Sequence, residues 1–188
     1  LENPEIGGFH DVKVLLDPDL QEIQEAIEIL FTSSTKEDLV LLFFSGHGMK
    51  DDSGKFYFAT RLTRKNEKGD LIKATAVSAN FVRDVLNDSR CKRQVIILDC
   101  CFSGAFSEGW IAKGDDMVTV QKQLGGKGRA VLASSRSTQY SFERQGENLS
   151  VYTRYLVEGV ETGVADVDND GLISTDELHE YACRKVQE

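Results

Sequence analysis

Apolar positions along this chain follow two rhythms. Residues 39–44 (Leu-Val-Leu-Leu-Phe-Phe), 95–98 (Val-Ile-Ile-Leu) and 129–133 (Arg-Ala-Val-Leu-Ala) are almost unbroken apolar runs. Such runs predict strands covered on both faces. Between residues 19 and 31, Leu20, Ile23, Ala26, Ile27 and Leu30 recur at helical spacing. That spacing predicts a helix, with Asp17 or Asp19 as its cap. Residues 12–16 are aliphatic and β-branched and stop at Asp17-Pro18, which predicts a further strand. Residues 56–59 predict a short extra strand, 61–70 a polar loop, 80–86 a helix, and 151–160 and 176–186 two more helices.

Strands alternating with helices imply an α/β fold with a mostly parallel central sheet flanked by helices. Ligands of such sheets bind at the carboxyl ends of the strands. Two apolar runs lead into unusual sequence there. The first meets Ser45-Gly46-His47-Gly48, and the second meets Asp99-Cys100-Cys101-Phe102-Ser103-Gly104. A thiol nucleophile needs a base or cation beside it, because the thiolate is the reactive form, and His is the usual partner. One His and one Cys, each expected on a loop after a buried strand, meet that need. The glycines beside His47 permit close backbone approach to a substrate. The amides of Gly48 and Cys101 are candidate oxyanion donors. The residues alone leave Cys100 and Cys101 both open as the nucleophile.

Phe44-Ser45-Gly46-His47-Gly48 resembles the histidine motif of the caspase clan, and Asp99-Cys100-Cys101-Phe102-Ser103-Gly104 resembles the metacaspase cysteine motif. Cys101 lies 54 positions after His47 (101 minus 47), close to the caspase separation of about 50. The resemblance is nearest to bacterial caspase-like peptidases and covers roughly residues 10–165. It implies a caspase-like sandwich and a cysteine endopeptidase with His47 and Cys101 as its pair. It aligns Asp99 and Ser103-Gly104 with the family and so places the reactive thiol at Cys101. It also implies a specificity pocket holding Asp99 and Ser45, and cleavage after Arg or Lys. A pocket-floor carboxylate suits that preference, since it attracts a cationic side chain. In the family the interval 110–129 hosts self-cleavage, and here it holds Lys113, Lys122, Lys127 and Arg129. Family sheets also begin with a strand and helix ahead of the 12–16 position. The first strand and helix are therefore expected on another segment or chain that completes the sheet.

Composition narrows the partners. The chain has 188 residues and a net charge of -9, which argues against nucleic acid, since phosphate contacts need a basic face. No apolar run reaches the roughly 18 residues of a membrane span. Four cysteines in a chain of this length do not make a disulfide framework, so a reducing, cytoplasmic setting is expected. Nothing suggests an organic cofactor. Protein or peptide substrates with Arg or Lys at the cleavage site are the expected partners.

Residues 166–177 match the EF-hand calcium loop. Asp166, Asp168 and Asp170 stand at loop positions one, three and five, Gly171 at six and Glu177 at twelve. The Leu172 carbonyl and Ser174 would complete an oxygen set for calcium. The incoming helix is joined imperfectly through Glu161-Thr162-Gly163, and the same residues also suit an acidic turn that caps a helix. The expected division is a peptidase domain at 1–165 followed by an EF-hand-like appendage at 166–188. Two other readings compete with the peptidase: a silent, calcium-responsive regulatory domain, and an acyl-transfer hydrolase on a similar sheet.

Overall fold

The computed structural model describes residues 1–4, 6–103, 120, 122–134 and 149–188. Two compact units emerge: Asp17–Ala133, and Leu1–Leu16 together with Ser134–Glu188.

The larger unit is a sheet with helices on it. Five strands are described: β1 (Leu39–Lys50), β2 (Phe56–Phe58), β3 (Val77–Ser78), β4 (Arg93–Ser103) and β5 (Arg129–Ala133). They lie in the order β3-β2-β1-β4-β5. The pairs β1–β4 and β4–β5 are parallel, whereas β1–β2 and β2–β3 are antiparallel. The sheet is thus mixed: a parallel centre with a short antiparallel wing.

The three apolar runs are the three parallel strands. Alternation sends Val40, Leu42 and Phe44 to one face, where they join Ile96, Leu98, Cys100 and Ala133. Helix α1 (Leu20–Ser33) adds Ile23, Ile27 and Phe31 to this core, and α2 (Ala79–Asp88) adds Val82 and Leu86. Asp19 rather than Asp17 caps α1. Its carboxylate accepts the Glu22 N–H at 3.0 Å, and the Glu22 carboxylate accepts the Asp19 N–H at 2.7 Å. This reciprocal box satisfies two amides that the helix cannot.

Two sequence expectations need correction. Residues 12–16 form no strand, and Leu16 there is 87% exposed. A strand is a pairing, and β-branched composition does not make one without a partner. The two long strands also outrun their apolar segments. β1 continues through Ser45-Gly46-His47-Gly48 to Lys50, and β4 continues through Asp99 to Ser103. The ladder between them extends these strands past the residues that read as loops.

In the smaller unit, α3 (Val151–Thr162) packs on α4 (Thr175–Gln187). Gly159 makes this possible, since a Cβ there would fall 3.0 Å from the Tyr181 ring and 3.1 Å from Ala165. The Tyr152 hydroxyl and His179 Nδ1 are hydrogen-bonded at 2.8 Å, and burial pushes the His179 imidazole below its ordinary pKa. Among the described residues, no helix is long and apolar enough to cross a membrane.

One buried amide ties α2, β4 and β5 together. Gln94 donates to the Leu86 carbonyl at 2.9 Å and the Cys91 carbonyl at 3.1 Å, and accepts from Arg129 Nε at 2.8 Å. Its backbone N–H donates to Gly128 O at 3.0 Å. Gly128 has φ 74°, and a Cβ on it would strike the Lys92 carbonyl. Gly128→Ala is therefore expected to destabilise the protein by about 2 kcal/mol or more, from left-handed strain and backbone overlap. Urea unfolding of the two proteins measures it.

Candidate active site

β1 and β4 pair residue by residue through the two motif segments. Ser45 lies opposite Asp99, and His47 opposite Cys101. Paired parallel strands run about 4.8 Å apart. Ser45 and His47 alternate with Phe44, so they belong to the face away from the α1–α2 core, and both are exposed. Asp99 is half-buried. The four residues singled out for catalysis and specificity thus occupy adjacent register positions on two neighbouring strands. They sit within strands, not on loops beyond them. Gly104 and Lys113 lie outside the described residues.

The glycines of the histidine motif serve the opposite face. A Cβ on Gly46 would approach the Phe44 ring to 3.1 Å. That ring stacks edge-on against Phe58, with centroids 4.8 Å apart. Gly48 is buried, with Phe58 of β2 on one side and Phe102 of β4 on the other. Small residues here let the sheet close tightly beneath His47.

The backbone of His47 is held by the returning strand. Ala59 N–H donates to the His47 carbonyl at 2.9 Å. The turn joining β1 to β2 spans 51–55, closed by Asp51 N–H to Lys55 O at 3.0 Å and Gly54 N–H to Asp51 O at 2.8 Å. Gly54 takes φ 76° there, a left-handed conformation that glycine adopts without penalty.

Asp51 organises this turn. Its side chain is only 4% exposed and meets Lys73 Nζ at 2.6 Å. It also accepts the Ser53 N–H at 3.0 Å, the Ser53 hydroxyl at 2.7 Å, the Lys55 N–H at 3.0 Å and the Tyr57 hydroxyl at 3.3 Å. Burial alone would raise the Asp51 pKa, but the bonds from Lys73, Ser53 and Lys55 outweigh it and hold the carboxyl well below the ordinary range. Lys73 is raised in turn, chiefly by its bond to Asp51. Burial and the neighbouring Asp51 charge raise Tyr57.

A family model of the caspase domain matches residues 6–188. The chain belongs to the caspase family of cysteine peptidases. No individual curated protein matches the chain. The caspase-domain match continues through the Asp-rich loop at 166–177 and the helix after it.

In that loop the structure brings together Asp166, Asp168 and Glu177, with one carboxylate oxygen from each within 4.8 Å of the others. Asn169 and Gly171 take φ 58° and 86°. The carboxylates already hold backbone. Asp166 accepts the amides of Asp170 and Gly171, and Asp170 accepts that of Leu172. Glu177 accepts the amides of Val167, Asp168 and Ser174 and the Ser174 hydroxyl. Led by the Ser174 amide and hydroxyl, these bonds lower the Glu177 pKa to about 2. Ser174 is the N-cap of α4, so Glu177 closes a capping box there. Leu172 is exposed.

Sequence reasoning missed Asp51, Lys73 and Tyr57 as a group. The available signal was Asp51-Asp52-Ser53-Gly54, a turn signature between two strands, but nothing in the spacing marks Lys73 as its partner.

Asp51→Asn is expected to cost about 1–2 kcal/mol at pH 7, because it removes the charge that Lys73 and the turn amides engage. A depressed carboxyl stabilises the fold above its unfolded pKa of about 3.9. That stabilisation disappears as pH falls toward the lower folded value. The gap between wild type and Asp51→Asn in urea midpoint should therefore hold at pH 5–8 and close below about pH 3. A gap that persists in acid would show that Asp51 acts by shape alone.

Proposed function

We propose that this chain is an endopeptidase in which His47 and Cys101 form the catalytic dyad, while Asp99, with Ser45, selects Arg or Lys before the scissile bond. The observation that carries the reading is the β1–β4 register, which sets His47 beside Cys101 and Ser45 beside Asp99. In the proposed reaction His47 takes the Cys101 thiol proton, and the thiolate sulfur attacks the substrate carbonyl carbon. The amides of Gly48 and Cys101 are the donors that the family resemblance assigns to the oxyanion. His47 then protonates the leaving amine, which departs as the thioester forms. Water, deprotonated by His47, hydrolyses the thioester and restores the thiol.

Several further features belong to this reading. The enzyme is of the bacterial caspase-like, metacaspase type. It works in a reducing cytoplasm, the setting expected of four cysteines that do not make a disulfide framework. Self-processing follows one of the lysines of the 110–129 interval. Lys122 and Lys127 are exposed, whereas Arg129 is committed to Gln94, Leu124 and Asn87. A further segment or chain completes the sheet: among the described residues, β2 pairs β1 only at Gly48, Met49 and Lys50, and no strand pairs that edge of β1 before Gly48.

The converging oxygens of Asp166, Asp168 and Glu177 support a second element, a calcium site that modulates the peptidase. Asp170, the Leu172 carbonyl and Ser174 would complete the ligands. The oxygen-only donor set suits a hard cation. Calcium would supply charge that holds the loop between α3 and α4, and a bound ion must displace the amides now on Glu177.

Peptides with Arg, Lys or Asp before a fluorogenic group test the first reading. Turnover after Arg and Lys, lost in Cys101→Ala and His47→Ala, is expected. Asp99→Asn should lower kcat/KM for the basic peptides by 10-fold or more, since it removes the charge that pairs with the substrate. Preferred cleavage after Asp would overturn the specificity. Terbium luminescence tests the metal site: binding displaced by calcium and weakened at least 10-fold by Glu177→Gln is expected. No binding at millimolar calcium would leave Glu177 as a helix cap.

A further inference from the structure

The hairpin rooted at His47 is held on one side by Asp51 and Lys73. On another it is held by a residue far along the chain. Gln123 lies on a helical turn at 122–124, on the stretch of chain between the Cys101 strand and β5. Its Oε1 accepts the Phe56 N–H at 3.1 Å, and its Nε2 donates to the Gly54 carbonyl at 3.0 Å. The turn itself is anchored, since Val120 and Leu124 are both fully buried in the core. A carbonyl and an N–H two residues apart are what one edge of a strand offers to a parallel neighbour. A single amide side chain therefore stands in for a strand at the outer edge of the hairpin. From Phe56 the chain continues through β2 to Ala59, whose N–H holds the His47 carbonyl.

We propose that Gln123 is a positioning residue for the peptidase. It ties the hairpin that fixes the backbone of His47 to a turn whose Val120 and Leu124 pack in the same core as Cys100, the neighbour of Cys101, so the two halves of the dyad share one frame. The proposal rests on the His47–Cys101 reading for its catalytic meaning, while the mechanical link does not. Both ends of the amide are used, one as donor and one as acceptor. A carboxylate can satisfy Phe56 but repels the Gly54 carbonyl. A protonated carboxyl satisfies both.

That asymmetry supplies the test. In Gln123→Met, which keeps the length and loses both bonds, the Ala59 amide should lose about 10-fold in hydrogen-exchange protection. The His47 imidazole resonances should move, and kcat should fall at least fivefold with KM changed less than twofold. In Gln123→Glu, protection at Phe56 and Ala59 should be low at pH 7. It should return as pH falls through the titration of the introduced carboxyl, because only the protonated form donates to Gly54. Thermal unfolding of each variant reports global stability separately. If Gln123→Met does not fold, the acid-dependent return of protection in Gln123→Glu decides alone. Loss of protection at Phe56 with Ala59 and His47 unchanged would overturn the proposal. So would a Gln123→Glu protein whose Ala59 protection does not depend on carboxyl protonation. Exchange and imidazole signals need no turnover, so an inactive chain would sink the dyad reading without touching this link.

Discussion

The parallel ladder between β1 and β4 is the interaction on which the rest depends. It runs from Leu39 opposite Arg93 to Met49 opposite Ser103. A slip of one residue along either strand would send every side chain of that strand to the other face. Val40, Ile96 and Leu98 are nearly or fully buried against α1 and α2. Exposing side chains of this size costs about 1.5–3 kcal/mol each, more than any polar contact at the edge returns. Hydrophobic burial below the site therefore chooses the register, and the register puts His47 opposite Cys101. The proposed site inherits its geometry from the core.

A strand that carries polar and glycine residues needs its backbone satisfied from both sides. At His47 this is done by different means on each edge. β4 supplies one ladder, and β2 supplies a short return that ends with Ala59 on the His47 carbonyl. The β1–β2 pairing is brief, covering only Gly48, Met49 and Lys50 against Phe58, Tyr57 and Phe56. Asp51 with Lys73, and Gln123 from far along the chain, provide what a longer sheet would have provided. Buried polar groups fully bonded in this way hold one conformation, because any displacement leaves an unpaired donor or acceptor.

Much of this architecture was legible along the chain, and the reasons for the rest are specific. The runs at 39–44, 95–98 and 129–133 announced the parallel strands because continuous apolar sequence of that length fits a central strand, although Leu39 and Phe43 stand exposed on the face of β1 away from α1 and α2. The periodicity of α1 was equally plain, while the sequence left Asp17 and Asp19 both open as its cap, and the structure chooses Asp19. Residues 12–16 misled because their composition fits a strand, while strand formation depends on a neighbour that no local sequence records. The continuation of β1 through Ser45-Gly46-His47-Gly48 failed for the converse reason: poor strand formers are carried by partners on either side. The caspase motifs singled out His47, Cys101, Asp99 and Ser45 as candidates, but their pairing is a property of the ladder. Gln123 carries no sequence signal at all, since its partners lie 67 and 69 positions away.

The loop at 166–177 shows how a motif can satisfy two physical demands at once. Each carboxylate that suits calcium also accepts an amide of its own turn. Glu177 caps α4, and its low pKa records how well that role is met. A cation gains from a loop already bent into shape, with Asn169 and Gly171 in left-handed conformations. The same cation must displace hydrogen bonds that an open, unstructured loop would not have formed. The two effects oppose each other: preorganisation lowers the entropy lost on binding, and the existing capping box raises the enthalpy to be replaced. A cation at the proposed site would compete with the helix cap for one carboxylate, and that competition would couple its binding to the stability of α4 through Glu177.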